Sequence, residues 1–294
     1  MTLEFPMFSL LETSLLDLLY ELRETDMRLI LGGGYGLYLK QRYLREIEPR
    51  TLLATFPAAR STNDLDIFLR TEILTDADRA RQLAGVLHRL GYTVVEIARY
   101  YQFEKAFDTK RVKIDLLTGP ESLFDRSLVR IEPGRGSRRI KPRQKGVGLH
   151  AHSTEEAIAI QDSPVEIPIE GYRTTGEQYS GSICLPHPFT YALMKLFATR
   201  DKDDRNEPDN ASKHALDLYR VMAMMTEPEW ETAKRLSAQY SGEPVVKEAG
   251  EIIGAYFAHT KAQGVLRLRE HPQFTRDMNL QEFLAVLAEL FPKQ

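Results

Sequence analysis

The sequence predicts an α/β (α+β) domain on a mixed sheet, residues 1–185, followed by an α-helical domain, residues 186–294. Three observations lead there. Residues 28–39 (R-L-I-L-G-G-G-Y-G-L-Y-L) read as a buried strand running through a glycine cluster into a helix. Residues 64–70 and 111–117 are short apolar stretches that each carry aspartate inside them. From Pro186 onward the apolar residues recur at helical spacing.

At 294 residues the chain can bury roughly three quarters of its unfolded surface, enough for one large domain or two ordinary ones. Its 43% hydrophobic and 28% charged content is that of an ordinary globular protein. The net charge of -3 gives no global attraction to polyanions, so any nucleic-acid contact must come from a local patch. Cys184 is the only cysteine, which excludes an intrachain disulfide and suits a reducing compartment. No apolar run approaches the ~20 residues of a membrane span. The start, M-T-L-E-F-P-M-F-S-L-L-E, is acidic where a secretory signal carries lysine or arginine. A cytoplasmic protein with no membrane partner is expected.

Taken in order, residues 8–24 have helical periodicity, with Ser9 or Thr13 able to cap. After the strand at 28–32, a helix is expected from Leu37 to Leu44. Residues 45–60 contain two prolines and no period, which predicts a loop or insertion. A helix follows at 75–90, opened by Thr75 or Asp76 and stopped by Gly91. Strands are expected at 92–98, 100–107 and 111–117. The run R-I-E-P-G-R-G-S-R-R-I-K-P-R-Q-K-G (130–146) reads as an exposed, charged loop, and 147–183 as weak strand and turn. Helices are expected at 188–199, 210–225, 228–240, 245–262 and 280–291, with a polar loop at 200–210.

The chemistry concentrates on R-S-T-N-D-L-D-I-F-L (60–69). Strand side chains alternate, so Asp64 and Asp66 face one way and Leu65 and Ile67 the other. Two carboxylates about 7 Å apart on one strand face repel unless cations lie between them. Hard oxygen ligands of this kind suit Mg²⁺ or Mn²⁺. Asp115, in K-I-D-L-L, has the same apolar setting and converges with them if the two strands are neighbours. Taken alone, D-x-D reads more readily as a strand entrance whose aspartates cap turns, and the third aspartate is what turns the reading toward a metal site. The glycine cluster lets backbone N–H groups approach phosphate oxygens at a helix N-terminus. It lacks the spacing of a P-loop or dinucleotide fingerprint, and alone it is also a plain strand–helix corner.

In combination these residues resemble the nucleotidyltransferase superfamily that includes DNA polymerase β. Its signature is a strand, a Gly-Gly or Gly-Ser turn, a helix, a [DE]-h-[DE] strand and a third carboxylate on a later strand. Within it the pattern is most similar to the AbiEii/AbiGii toxin-like group. That group's G-G-x-A-L turn and R-x-[ST]-x-D-[IL]-D strand read here G-G-Y-G-L (33–37) and R-S-T-N-D-L-D (60–66). Lys195 in P-F-T-Y-A-L-M-K-L-F-A-T-R and the run K-H-A-L-D-L-Y (213–219) are similar to its later motifs. The resemblance covers 28–222. It departs in the long interval between Gly34 and Asp64, which requires 45–59 to be an insertion, and in Gly36.

The resemblance implies an enzyme that moves an NMP from an NTP to an acceptor hydroxyl. Two Mg²⁺ (or Mn²⁺) ions would sit on Asp64, Asp66 and Asp115, with Asp115 helping to deprotonate the acceptor. Gly33 and Gly34 would cradle the triphosphate, Thr62 and Arg60 would contact phosphate oxygens, and Lys195 and Lys213 would neutralise phosphate charge. Asp217 is one helical turn from Lys213 and able to anchor it. The acceptor would be RNA, such as a tRNA 3′ end, or DNA, in a toxin–antitoxin or phage-defence setting with an antitoxin or defence partner. Rival readings are synthesis of an oligonucleotide signal, nucleotidylation of a protein or small molecule, and a non-catalytic binding protein. The basic residues Arg135, Arg138, Arg139, Lys141, Arg143 and Lys145 offer a nucleic-acid contact. The same run also reads as a solvated loop. His150 and His152 are expected on one solvated strand face.

Overall fold

A buried strand pair with aspartates on its outer face is the centre from which the first unit is built. In chain order the elements are α1 (Met7–Leu22), β1 (Ile30–Leu31), α2 (Gly33–Ile47), β2 (Asp64–Phe68), α3 (Thr71–Thr75) and α4 (Ala77–Arg89). There follow β3 (Thr93–Val94), β4 (Gln102–Phe107), β5 (Lys110–Thr118), β6 (Val129–Pro133), β7 (Arg138–Pro142), β8 (Ala151–Ser153), β9 (Val165–Tyr172) and β10 (Gln178–Leu185). The helices α5 (Pro188–Asp204), α6 (Pro208–Ala223), α7 (Glu227–Gln239), α8 (Pro244–Tyr256), α9 (Gln263–Glu270) and α10 (Leu280–Leu290) complete the chain. The structure, a computed structural model, describes residues 7–60, 62–98, 100–133 and 138–293, the side chains of residues 7 and 8 apart.

The chain forms two units, one of residues 1–36 and 60–185, the other of residues 37–59 and 186–294. In the first, the sheet order is β6-β7-β8-β5-β2-β1-β10-β9, with β4 also on β5 and β3 on β4. β2 and β5 are parallel, as are β5 and β8 and β1 and β10, while the other pairs are antiparallel, so the sheet is mixed. Leu65, Ile67, Ile114 and Leu116 are buried on the face that α1 covers. Leucines at helical spacing in α1 (Leu11, Leu15, Leu18) bury the other side of that layer. The alternation leaves Asp64, Asp66, Lys113 and Asp115 on the opposite face, all partly exposed.

Several sequence expectations change here. The helix expected at 75–90 is two: α3 ends at Thr75, and Asp76 caps α4 by accepting from the N–H groups of Asp78 and Arg79. Gly91, at φ +83°, ends it as expected. The charged run at 130–146 is not simply a loop. Val129–Pro133 and Arg138–Pro142 pair as an antiparallel hairpin that extends the sheet. Its Ile140 is fully buried, so the apolar residue within the basic run holds it in place.

In the second unit, α5 and α6 pack against each other, and α6 is buried along most of its length. A capping box of Thr226 and Glu229 opens α7. α5 runs on to Asp204 and α6 starts at Pro208, so most of the expected polar loop at 200–210 is helix. Its charges are used: Asp203 accepts from Arg267 Nε at 2.5 Å. The helix expected at 245–262 stops at Tyr256, and α9 is a separate helix. Residues 45–59, expected as an insertion in the first domain, group with this unit. α2 continues to Ile47, Thr51 bridges Thr226, and the Leu52 N–H donates to the Met225 carbonyl at 2.9 Å. Among the described residues no helix is long and apolar enough to cross a membrane.

Candidate active site

The turn after β1 is built against the aspartate strand. The Gly32 N–H donates to the Asp66 carbonyl at 2.7 Å. Gly33 has φ +64°, and a Cβ there would lie 1.7 Å from Asp66 Oδ2. Only glycine fits both the conformation and the approach. At Gly34 a Cβ would stand 3.4 Å from the Arg60 guanidinium and the Thr62 side chain. The turn, Arg60, Thr62 and Asp66 are therefore immediate neighbours.

β2 and β5 run parallel with Asp66 opposite Asp115 and Asp64 opposite Lys113. Directly paired residues share a face, so Asp64, Asp66 and Asp115 all lie on the partly exposed side of the sheet. Gln102, opposite Asp115 on the other flank, donates from Nε2 to Asp115 Oδ1 at 2.6 Å. Burial pushes the Asp64 carboxyl above its ordinary value, against the pull of Lys113 and Arg60. Burial likewise raises Asp115; Gln102 opposes the shift, Asp64 adds to it and Lys113 opposes it. Asp64 Oδ1 is buried with no hydrogen-bond donor among the described residues. A buried carboxylate oxygen without a donor costs stability, and a cation is one partner that would remove the cost.

The donor set fits a hard divalent cation in a particular way. Among the described residues no three His, Cys, Asp or Glu side chains form a ready metal cage. Mg²⁺ is commonly held by one or two carboxylates together with substrate phosphates rather than by an all-protein cage. Asp64, Asp66 and Asp115 suit that kind of incomplete site.

The remaining expected residues belong to other elements. In the second unit Lys195 is buried and its Nζ donates to Asp217 Oδ2 at 2.8 Å. Arg220, also buried, approaches Asp217 Oδ1 at 3.4 Å and reaches Gln41 Oε1 at 3.2 Å. The partners found for Asp217 are thus Lys195 and Arg220, whereas Lys213 donates to Asn210 at the surface. In the basic run, Arg139 and Lys141 both pair with Glu132, Arg138 lies 3.6 Å from Glu121, and Arg143 donates to the Arg126 carbonyl. Lys145 is exposed, and Arg135 lies outside the described residues. His150 is buried against Tyr100, while His152 lies on β8 with its ring 4.9 Å from that of Tyr101. The two histidines do not share a solvated face. Lys113 and Gln102 are site neighbours that the sequence motifs do not single out. Lys113 is detectable two residues before Asp115 on the same face, but nothing short of the strand pairing singles out Gln102.

No protein-family profile matches the chain, and no curated protein matches it in sequence. Among solved structures it is similar to the antibiotic-resistance factor ANT(2'')-Ia, at 12% identity and a TM-score of 0.36. The match covers 79% of this chain and 97% of that one. A TM-score at this level does not place the two chains in one fold.

Proposed function

We propose that this chain is a metal-dependent nucleotidyltransferase that moves an NMP from an NTP to an acceptor hydroxyl, with Asp64, Asp66 and Asp115 as its reacting centre. The observation that carries this reading is the register of Asp66 opposite Asp115, with Asp64 on the same face and its Oδ1 buried without a donor. Keeping three half-buried carboxylates on one face of neighbouring strands is costly unless a cation or phosphate chemistry uses them. The match of the glycine turn and D-L-D strand to the superfamily motifs supports the same reading.

When bound on these carboxylates, divalent cations would neutralise charge on the triphosphate and on the departing pyrophosphate. The chain's own groups do the rest. The N-terminus of α2 at Gly33 and Gly34 presents backbone N–H groups and positive partial charge to phosphate oxygens. Arg60 and Thr62, beside Gly34, add a cation and a hydroxyl. The acceptor oxygen bonds to the α-phosphorus, the bond to the β-phosphate oxygen breaks, and the acceptor proton passes to a carboxylate. Asp115 suits that last role: burial raises its basicity and Gln102 fixes its orientation.

The basic strand Arg138–Pro142 favours a nucleic-acid acceptor, RNA foremost, over a protein or small molecule. The sequence resemblance to toxin-like members supports a toxin–antitoxin or defence setting with a controlling partner protein. The direct test is incubation with Mg²⁺ and each α-³²P NTP, with and without total RNA, beside D64A/D66A. Label on RNA that vanishes in the double variant is the expected result. Label in free oligomers or on protein would change the acceptor, and failure to bind NTP with Mg²⁺ by calorimetry would overturn the assignment.

A further inference from the structure

The open face of the sheet continues beyond the aspartates. Leu117, two residues after Asp115, is paired with His152, and His152 is paired with Arg139. Arg139 is in turn opposite Glu132, and Lys141 opposite Arg130. Paired residues and residues two apart share a face. Asp66, Asp115, His152, Arg139, Lys141 and Glu132 therefore all lie on one side of the first unit. With strands about 5 Å apart, Arg139 is two strands, or about 10 Å, sideways from Asp115.

Between the acids and the cations lies an aromatic pair, the rings of Tyr101 and His152 at 4.9 Å and 38°. Beyond it, Arg139 and Lys141 share a single carboxylate, Glu132. That leaves one positive charge uncompensated within the trio. Arg139 Nε is buried with no acceptor among the described residues. Acid, aromatic surface and cation pair occur in this order across neighbouring strands. A phosphate about 12 Å from the reacting centre, two strands across and two residues along, with a base between, is what a polynucleotide end offers.

We propose that this face seats a single-stranded nucleic-acid end. A base stacks on Tyr101 and His152, and a backbone phosphate displaces Glu132 from Arg139 and Lys141. The proposal rests on the transferase reading for the role of Asp115, but binding can be measured without transfer. Glu132 then acts as a built-in competitor that lowers affinity for phosphate.

The test is fluorescence anisotropy of the full chain with labelled single-stranded RNA and DNA 12-mers, without NTP or divalent cation, across a salt series. E132Q should tighten binding about threefold or more, because it removes the competing charge. R139Q/K141Q should weaken it about tenfold or more and make the log K against log salt slope shallower by about one to two. H152A should weaken it about fivefold with the slope unchanged. The tighter of the RNA and DNA series names the acceptor. Misfolding does not produce a gain, so E132Q keeps the test decisive if the double variant fails to fold. Unchanged affinity and slope in E132Q and R139Q/K141Q would overturn the proposal in favour of a protein or small-molecule acceptor. Transfer of label without these binding changes overturns the seat alone. Binding changes without transfer keep the seat and overturn the transferase.

Discussion

Asp64 and Asp115 are held where burial opposes their charge. Their folded pKa values lie above the unfolded ones, so the folded chain keeps protons that the unfolded chain has released. Stability from this source is full below the unfolded carboxylate range and is lost as pH rises through the raised values. Asp64→Asn and Asp115→Asn should therefore raise the Tm of the metal-free protein at pH 7. The gain should shrink as pH is lowered toward 4. The same variants should cut nucleotidyl transfer by roughly 10²-fold or more. A fall in Tm on substitution at pH 7 would make the carboxylates structural instead. Gly33 gives a second test at this scale. Gly33→Ala meets φ +64° and a 1.7 Å approach to Asp66 Oδ2, so it should cost about 1–3 kcal/mol and abolish transfer. Gly242, with nothing within 4 Å of its Cβ position, is the control that should tolerate alanine far better. These residues were readable in the sequence because each signal is local: glycines at a strand–helix corner, and two acids at a period of two. Gln102 was not, because its role comes only from lying opposite Asp115 across a strand pairing.

At the scale of elements, α5 and α6 are joined by buried charge. Asp217 has no exposed side-chain surface, and the cations of Lys195 and Arg220 both lie against it. Removing the carboxylate strands two buried cations, so Asp217→Ala should destabilise the second unit by about 3–5 kcal/mol, read as a shift in the denaturant midpoint. Lys213→Ala should stay within about 0.5 kcal/mol, since that lysine is exposed. A stable D217A would show that the network contributes little to folding. The helical half was legible from periodicity, but the partners of Asp217 were not: spacing offered Lys213, whereas packing of two helices supplied Lys195. The hairpin of Val129–Pro133 and Arg138–Pro142 was missed for a related reason. Proline, glycine and dense positive charge resemble a solvated loop. The alternation that makes it a strand pair rests on Ile131 and Ile140 opposite each other. Charges also hid the end of α5, where Asp203 looked solvated but serves Arg267.

Over the whole molecule, the chain leaves the first unit after Gly36 and returns to it at Arg60. The excursion is not an appendage. Leu37, Leu39, Leu44 and Leu53 are 2%, 3%, 3% and 1% exposed, and Gln41 meets the buried Arg220 within the second unit. Each buried leucine is worth roughly 1.5–3 kcal/mol, so stripping the cover from four of them leaves an apolar surface with no partner. A fragment of residues 1–185 should therefore aggregate or bind ANS strongly. The same fragment with 37–59 replaced by about six Gly/Ser residues should stay monomeric and unfold cooperatively, because a linker of that length spans roughly 12–15 Å. Gly34 already lies beside the Arg60 side chain, so the two ends to be joined are close. Comparison of the two fragments by size-exclusion chromatography and urea unfolding decides the matter. If 1–185 is the better behaved of the pair, residues 37–59 stabilise the sheet unit itself, and the division of the chain lies at Leu185 alone.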